Sequence, residues 1–219
     1  MSKQFWAVIA GIVIVLVGIF LLTGDKAENK NSNGGNTKAA TNHVIGKGST
    51  GVKLVEYGDY QCPYCQTYHA VVKQVVEEYK DQITFQFVHF PLPNLHQNAF
   101  AAARAAEAAG KQNKFWEMHD QIYENADPNG ASGWVAASAP TTFFNQFAKN
   151  IGLDLKKFQA DSASSAANDA INADMSKGNK AGVEATPTFF LDGKKVTIEG
   201  TPEAFKKAID EAIKNKASN

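Results

Sequence analysis

The chain has 219 residues, with 22 Lys and Arg against 22 Asp and Glu and therefore no formal net charge. That balance argues against a nucleic-acid binder, which carries a basic excess. Two cysteines exclude a disulfide-rich secreted scaffold. Setting aside an apolar N-terminal run and a polar stretch after it leaves about 170 residues, enough for one domain with a real core.

Phe5 to Leu22 (FWAVIAGIVIVLVGIFLL) carries no charge over 18 residues. A bilayer-spanning helix needs about 20 apolar residues, and the apolar part of a cleavable signal peptide only ~7–15. Leu22-Thr23-Gly24-Asp25 is a poor small-x-small cleavage site, and no cysteine follows to carry a lipid. The run predicts a transmembrane signal anchor at 5–22 behind a short tail at 1–4, with a cleaved signal peptide as the weaker alternative. The rest of the chain would then lie outside the cytoplasm of a bacterial-type cell, on a single-pass anchor in its membrane. Asn, Gly, Lys, Thr and Ser dominate up to Lys47, too polar to order themselves. This predicts a flexible linker over 23–49, spanning on the order of 25–30 Å.

Val52 to Tyr57 (VKLVEY) predicts a buried strand. Cys62-Pro63-Tyr64-Cys65 follows and holds both cysteines, with Pro63 suited to the first position of a helix. Val71, Val72, Val75, Val76 and Tyr79 recur at helical spacing. Ile83 to Phe90 (ITFQFVHF) predicts a second strand, ended by Pro91 and Pro93. Residues 97–181 read as helical, with helices at Gln97–Ala109, Lys114–Asn125 and Thr141–Ile151. A loop is expected at Asp127–Pro140, and a last long helix from the N-cap Asp154 to about Met175. Thr188–Leu191 and Val196–Glu199 flank Asp192-Gly193 as a hairpin. Thr201-Pro202 opens a terminal amphipathic helix.

The element order is strand–helix–strand, a helical block, a hairpin and a helix. It resembles the thioredoxin fold with a helical insertion, and specifically the DsbA-type thiol:disulfide oxidoreductases. The resemblance covers roughly 50–217, with the insertion at about 95–181. It rests on VEYGDYQCPYCQ, PLPNLHQNAFAAARAAEAAG and VEATPTFFLDGKKV. The fold class expected is α/β, thioredoxin-like, preceded by one transmembrane helix.

A Cys-x-x-Cys pair entering a helix is the working part of thiol–disulfide exchange. At a helix N-terminus the unpaired N–H groups favour a thiolate, so Cys62 is the expected exposed nucleophile. Cys65 lies one turn on and is the shielded, resolving sulfur. Pro63 and Tyr64 tune the pair. Tyr64 is neutral where the most oxidising relatives carry His, which leaves the oxidising strength open. Glu56, in an apolar strand, is a candidate proton carrier for Cys65. The resemblance implies a cis Thr186–Pro187 bond against the cysteines, leaving the Thr186 backbone free to pair with an extended substrate.

A rival reading comes from His69, which completes Cys-x-x-Cys-x-x-x-His and suggests a membrane-anchored zinc or copper module. His43, His89, His96 and His119 sit in other elements, so no metal site is expected. Phe115, Trp116, Phe143, Phe144 and Phe147 read as core. The function expected is introduction of disulfides into exported proteins, with extracytoplasmic reduction or isomerisation as the competing direction. No cofactor beyond the Cys62–Cys65 disulfide is expected. The partners expected are unfolded exported proteins with free thiols, a membrane redox partner that reoxidises the pair, and the bilayer through the N-terminal helix. The chain is expected to be a monomer that binds no nucleic acid.

Overall fold

The computed structural model describes residues 41–218, so the anchor expected at 5–22 and most of the expected linker lie outside the described residues. Among the described residues no helix is long and apolar enough to cross a membrane.

β2 (Val52–Gly58) and β3 (Ile83–His89) pair in parallel, joined by α1 (Pro63–Glu78). Both strands are buried along most of their length, which is why they read as near-continuous apolar runs. β4 (Thr188–Leu191) runs antiparallel on the other side of β2, setting Phe189 opposite Glu56 and Thr188 opposite Tyr57. β5 (Lys194–Val196) closes the sheet, whose order is β1 (His43–Ile45), β3, β2, β4 and β5. Asp192 and Gly193 both have positive φ (50° and 80°), as a two-residue hairpin turn requires. β5 therefore starts directly after that turn rather than at Val196 as expected.

β1 (His43–Ile45) corrects the linker expectation at 23–49, and the ordered domain begins before residue 50. The strand pairs antiparallel with β3 and covers its open edge. The His43 ring stacks on Phe115 with centroids 3.4 Å apart, and Ile45 packs on the core. Three residues are too few to show a period in a polar sequence. The following loop is fastened by Lys47 N–H to the Lys80 carbonyl (2.6 Å) and Gly48 N–H to the Ile83 carbonyl (3.2 Å). Gly46 has φ 92°, and a Cβ there would meet the Ile83 carbonyl oxygen at 2.3 Å, so the close approach needs glycine.

The insertion comprises α2 (Ala99–Gly110), α3 (Phe115–Glu124), α4 (Gly133–Ala136), α5 (Thr141–Asn150), α6 (Leu155–Ser162) and α7 (Ser165–Lys180). Alanines on nearly every face of α2 let it pack against α3, α6 and α7 at once. The loop expected at 127–140 holds α4, because fully buried Trp134 anchors it and donates its indole N–H to the Ile122 carbonyl at 3.0 Å. The single helix expected after Asp154 is two. Ser164 is extended, and its hydroxyl accepts the Ala167 N–H, which starts a new helix. α8 (Pro202–Ala217) packs on α1 and β2 through Phe205 and Ile209, with Thr201 as its cap.

Candidate active site

β2 delivers the chain to a turn at Asp59–Gln61, and α1 begins immediately after Cys62. Asp59 is fully buried and holds this turn in place. One of its carboxylate oxygens accepts the Gln61 N–H (2.7 Å); the other accepts the Leu92 N–H (2.8 Å) and meets His96 Nδ1 (2.8 Å). Gln61 reaches across to the insertion, donating to the Val135 carbonyl and accepting the Asn98 N–H. The Asn98 amide in turn donates to the carbonyls of Trp134, Val135 and Ala137. This is why α2 starts at Ala99 rather than Gln97. Nothing in the sequence singles out Asp59, Gln61, His96 and Asn98 as part of this site, beyond a run of hydrogen-bonding residues beside the cysteines and beside Pro93.

Cys62 is the N-cap of α1, and no side chain caps the first turn. Pro63 at the first helical position has no N–H to leave unpaired. The free N–H groups of that turn are thus available to a sulfur anion. Cys62 was expected to be exposed, yet it is only 5 % accessible against 0 % for Cys65. The Asp59 turn and the Thr186 loop cover it, and the asymmetry between the sulfurs is in environment more than in exposure. Tyr64, at 72 %, is the exposed member of the motif.

Thr186–Pro187 is cis, and it places the Thr186 carbonyl 3.2 Å from Cys62 Sγ. The buried Thr186 hydroxyl has no hydrogen-bond partner. The Cys62 thiol is lowered from 9.0 to about 6. The largest cause is a hydrogen bond from the Cys65 thiol. Burial opposes the shift, and the Cys65 N–H, Thr186 and the Tyr64 N–H add to it. Cys65 moves the other way, pushed well up by burial first and then by Cys62 and the charge of Glu56. Glu56 is buried in β2 and raised from 4.5 to about 8, by burial and then by the Cys62 anion. At neutral pH the site therefore holds a thiolate at Cys62, a thiol at Cys65 and a neutral carboxyl at Glu56. A thiolate so placed can attack, or leave, a disulfide sulfur. Thr186, Pro187, Tyr64 and Tyr68 line a cleft of about 280 Å³ beside it, continued by the 195–198 segment.

His69 is on α1 but does not join the cysteines. Among the described residues two groups bring potential ligand atoms within 4.8 Å of one another: His43, His89 and Glu107, and His69, His119 and Asp120. Neither contains a sulfur, which removes the geometric basis of the Cys-x-x-Cys-x-x-x-His reading. The histidines that the sequence scattered over separate elements converge pairwise across the fold. Phe115, Phe144 and Phe147 are core as expected; Phe143 is partly exposed, and Trp116 lines a second cavity together with Glu56.

A parallel strand–dithiol–helix unit, closed by an antiparallel strand that a cis-proline introduces, defines a thioredoxin-fold dithiol protein. A family model described as "Thioredoxin" matches residues 38–211, and the chain belongs to that family. It is 27 % identical over 211 residues to a probable disulfide bond formation protein D of Bacillus cereus, covering 94 % of this chain and 93 % of that one. It is 32 % identical over 155 residues to a Na(+)/H(+) antiporter NhaA 1 of Mycolicibacterium gilvum, covering 70 % of this chain. The chain spans about a quarter of the length of the curated antiporters it matches (24 %). The crystal structure of Wolbachia pipientis alpha-DsbA1 superposes with a TM-score of 0.68 at 22 % identity, covering 82 % of this chain and 94 % of that one, which places the fold with DsbA.

Proposed function

We propose that the chain is a DsbA-type thiol:disulfide oxidoreductase that introduces disulfides into exported proteins. The observation that carries this is the split between the two sulfurs, with Cys62 lowered to about 6 and Cys65 raised. Stabilising the thiolate stabilises the reduced pair, which makes the Cys62–Cys65 disulfide the better oxidant. In turnover a substrate thiolate attacks Sγ of Cys62. The Cys62–Cys65 bond breaks, Cys65 leaves, and a substrate–Cys62 bond forms. A second substrate thiolate attacks the substrate sulfur of that bridge and expels the Cys62 thiolate. Two electrons pass from the two substrate thiols to the pair, and no further cofactor is required. Glu56 supplies or accepts the proton of Cys65, directly or through water. Thr186 and Pro187 hold an extended substrate backbone beside Cys62.

The 18-residue apolar run at Phe5–Leu22 supports a single-pass anchor in the cell membrane with the domain outside the cytoplasm. Disulfides persist in that compartment. A membrane redox partner would return the pair to the disulfide, and the substrates would be unfolded exported proteins with free thiols. The test is a pair of variants in an exchange assay. Cys62→Ser abolishes turnover, and Cys65→Ser traps mixed disulfides on Cys62. Turnover retained in Cys62→Ser would overturn the mechanism.

A further inference from the structure

Between α1 and α3, sharing no lining residue with the Thr186 cleft, lies a cavity of about 500 Å³ whose wall includes Glu56, His69, His119, Asp120 and Tyr123. His69 is 8 % exposed, and its buried Nε2 has no hydrogen-bond partner. That nitrogen stands 3.5 Å from Asp120 Oδ1. The separation is long for a hydrogen bond. It matches the edge of a coordination tetrahedron, about 3.4 Å for metal–ligand bonds of about 2.0–2.1 Å. His119, the residue before Asp120 on α3, is buried, and its Nδ1 lies 3.1 Å from the buried Tyr60 hydroxyl. The ligand-bearing atoms of His69, His119 and Asp120 all lie within 4.8 Å of one another.

We infer that His69, His119 and Asp120 form a site for a divalent transition-metal cation of the zinc type, with a fourth position open to the cavity. Two imidazoles, one carboxylate and an open position are a donor set that zinc accepts. Asp120 gives its other oxygen to Lys73 at 2.8 Å, and Lys73 is also matched by Glu124 at 2.7 Å, so Oδ1 remains for a cation. The other histidine cluster is built differently. There Glu107 directly bridges the rings of His43 and His89, and the facing donors are already paired. An occupied site would set two positive charges on the wall of the cavity that also holds Glu56.

The experiment uses the tag-free full chain with Cys62–Cys65 oxidised, so that no thiolate can ligate. Zinc stoichiometry is measured by equilibrium dialysis, and cobalt is used as a spectroscopic probe. One zinc per chain is expected, with a cobalt d–d absorption that zinc abolishes. His69→Gln and Asp120→Asn should each weaken binding by at least about tenfold, the loss that even an outer-shell change produces. Asp120→Asn removes a charge from a partly exposed position and guards against a folding artefact. His89→Ala should leave zinc affinity unchanged. No zinc bound by the oxidised protein, or binding that survives His69→Gln, or binding lost only in His89→Ala, would overturn the site. None of these readouts involves thiol exchange, so the assignment stands or falls apart from the proposed oxidoreductase activity.

Discussion

Glu56→Gln is the most quantitative perturbation that the site offers. The Glu56 carboxyl is raised from 4.5 to about 8 in the reduced protein, so the folded state resists its ionisation. An acid whose folded pKa is raised costs nothing below its unfolded pKa. Its cost then grows by about 1.4 kcal/mol per pH unit until the folded pKa is reached. At pH 5 this amounts to somewhat under about 1 kcal/mol, and at pH 7 to about 3 kcal/mol. Glutamine has nearly the same shape and no charge to lose. The reduced Glu56→Gln protein should therefore equal the parent in stability near pH 4 and exceed it by about 3 kcal/mol at pH 7. Urea unfolding in the presence of reductant, repeated from pH 4 to 8, measures the difference. A difference that does not change with pH, or a variant less stable than the parent at pH 7, would show that the fold does not hold Glu56 as a reluctant acid. If Glu56 also carries the proton of Cys65, the more stable variant should be slower in exchange, a trade common at functional sites.

Further outcomes follow from other contacts. Alkylation of Cys62 in the reduced protein should follow a titration centred near pH 6, fast above and slow below. Thr186→Val, which removes one of the groups that lower the thiol, should move that midpoint upward; an unmoved midpoint would take Thr186 out of the account. Asp59→Ala deletes acceptors for Gln61, Leu92 and His96, and buried charge-assisted bonds contribute about 1.5–3 kcal/mol each. It should unfold at clearly lower denaturant, and exchange should slow in the fraction that stays folded. Phe205→Ala, at a fully buried position joining α8 to the sheet, should cost about 3–5 kcal/mol in chemical unfolding. Ser164→Ala should cost about 1 kcal/mol through loss of the α7 cap.

The long periodic elements were legible because each is held by one apolar face or one buried run. The β2–α1–β3 unit, the hairpin at Asp192-Gly193 and the capped α8 all follow from local pattern. The chemistry of Cys62 and Cys65 was legible for a different reason: only two cysteines exist, and their spacing has few structural uses. β1 was not legible, since a three-residue edge strand exists only because β3 leaves an edge open. The split between α6 and α7 turns on one serine hydroxyl. The low exposure of Cys62, the Asp59 anchor and the two histidine clusters depend on packing between elements distant in sequence. Spacing along the chain says nothing about those encounters.

A fold that stabilises the reduced pair through the Cys62 thiolate makes Cys62–Cys65 an oxidant. The reduction potential of that pair, from equilibration with glutathione buffers, tests it most directly. The expected value is at or above about −180 mV, toward the roughly −120 mV of DsbA. A value of about −230 to −270 mV, in the glutaredoxin-to-thioredoxin range, would contradict it and make the protein a reductase.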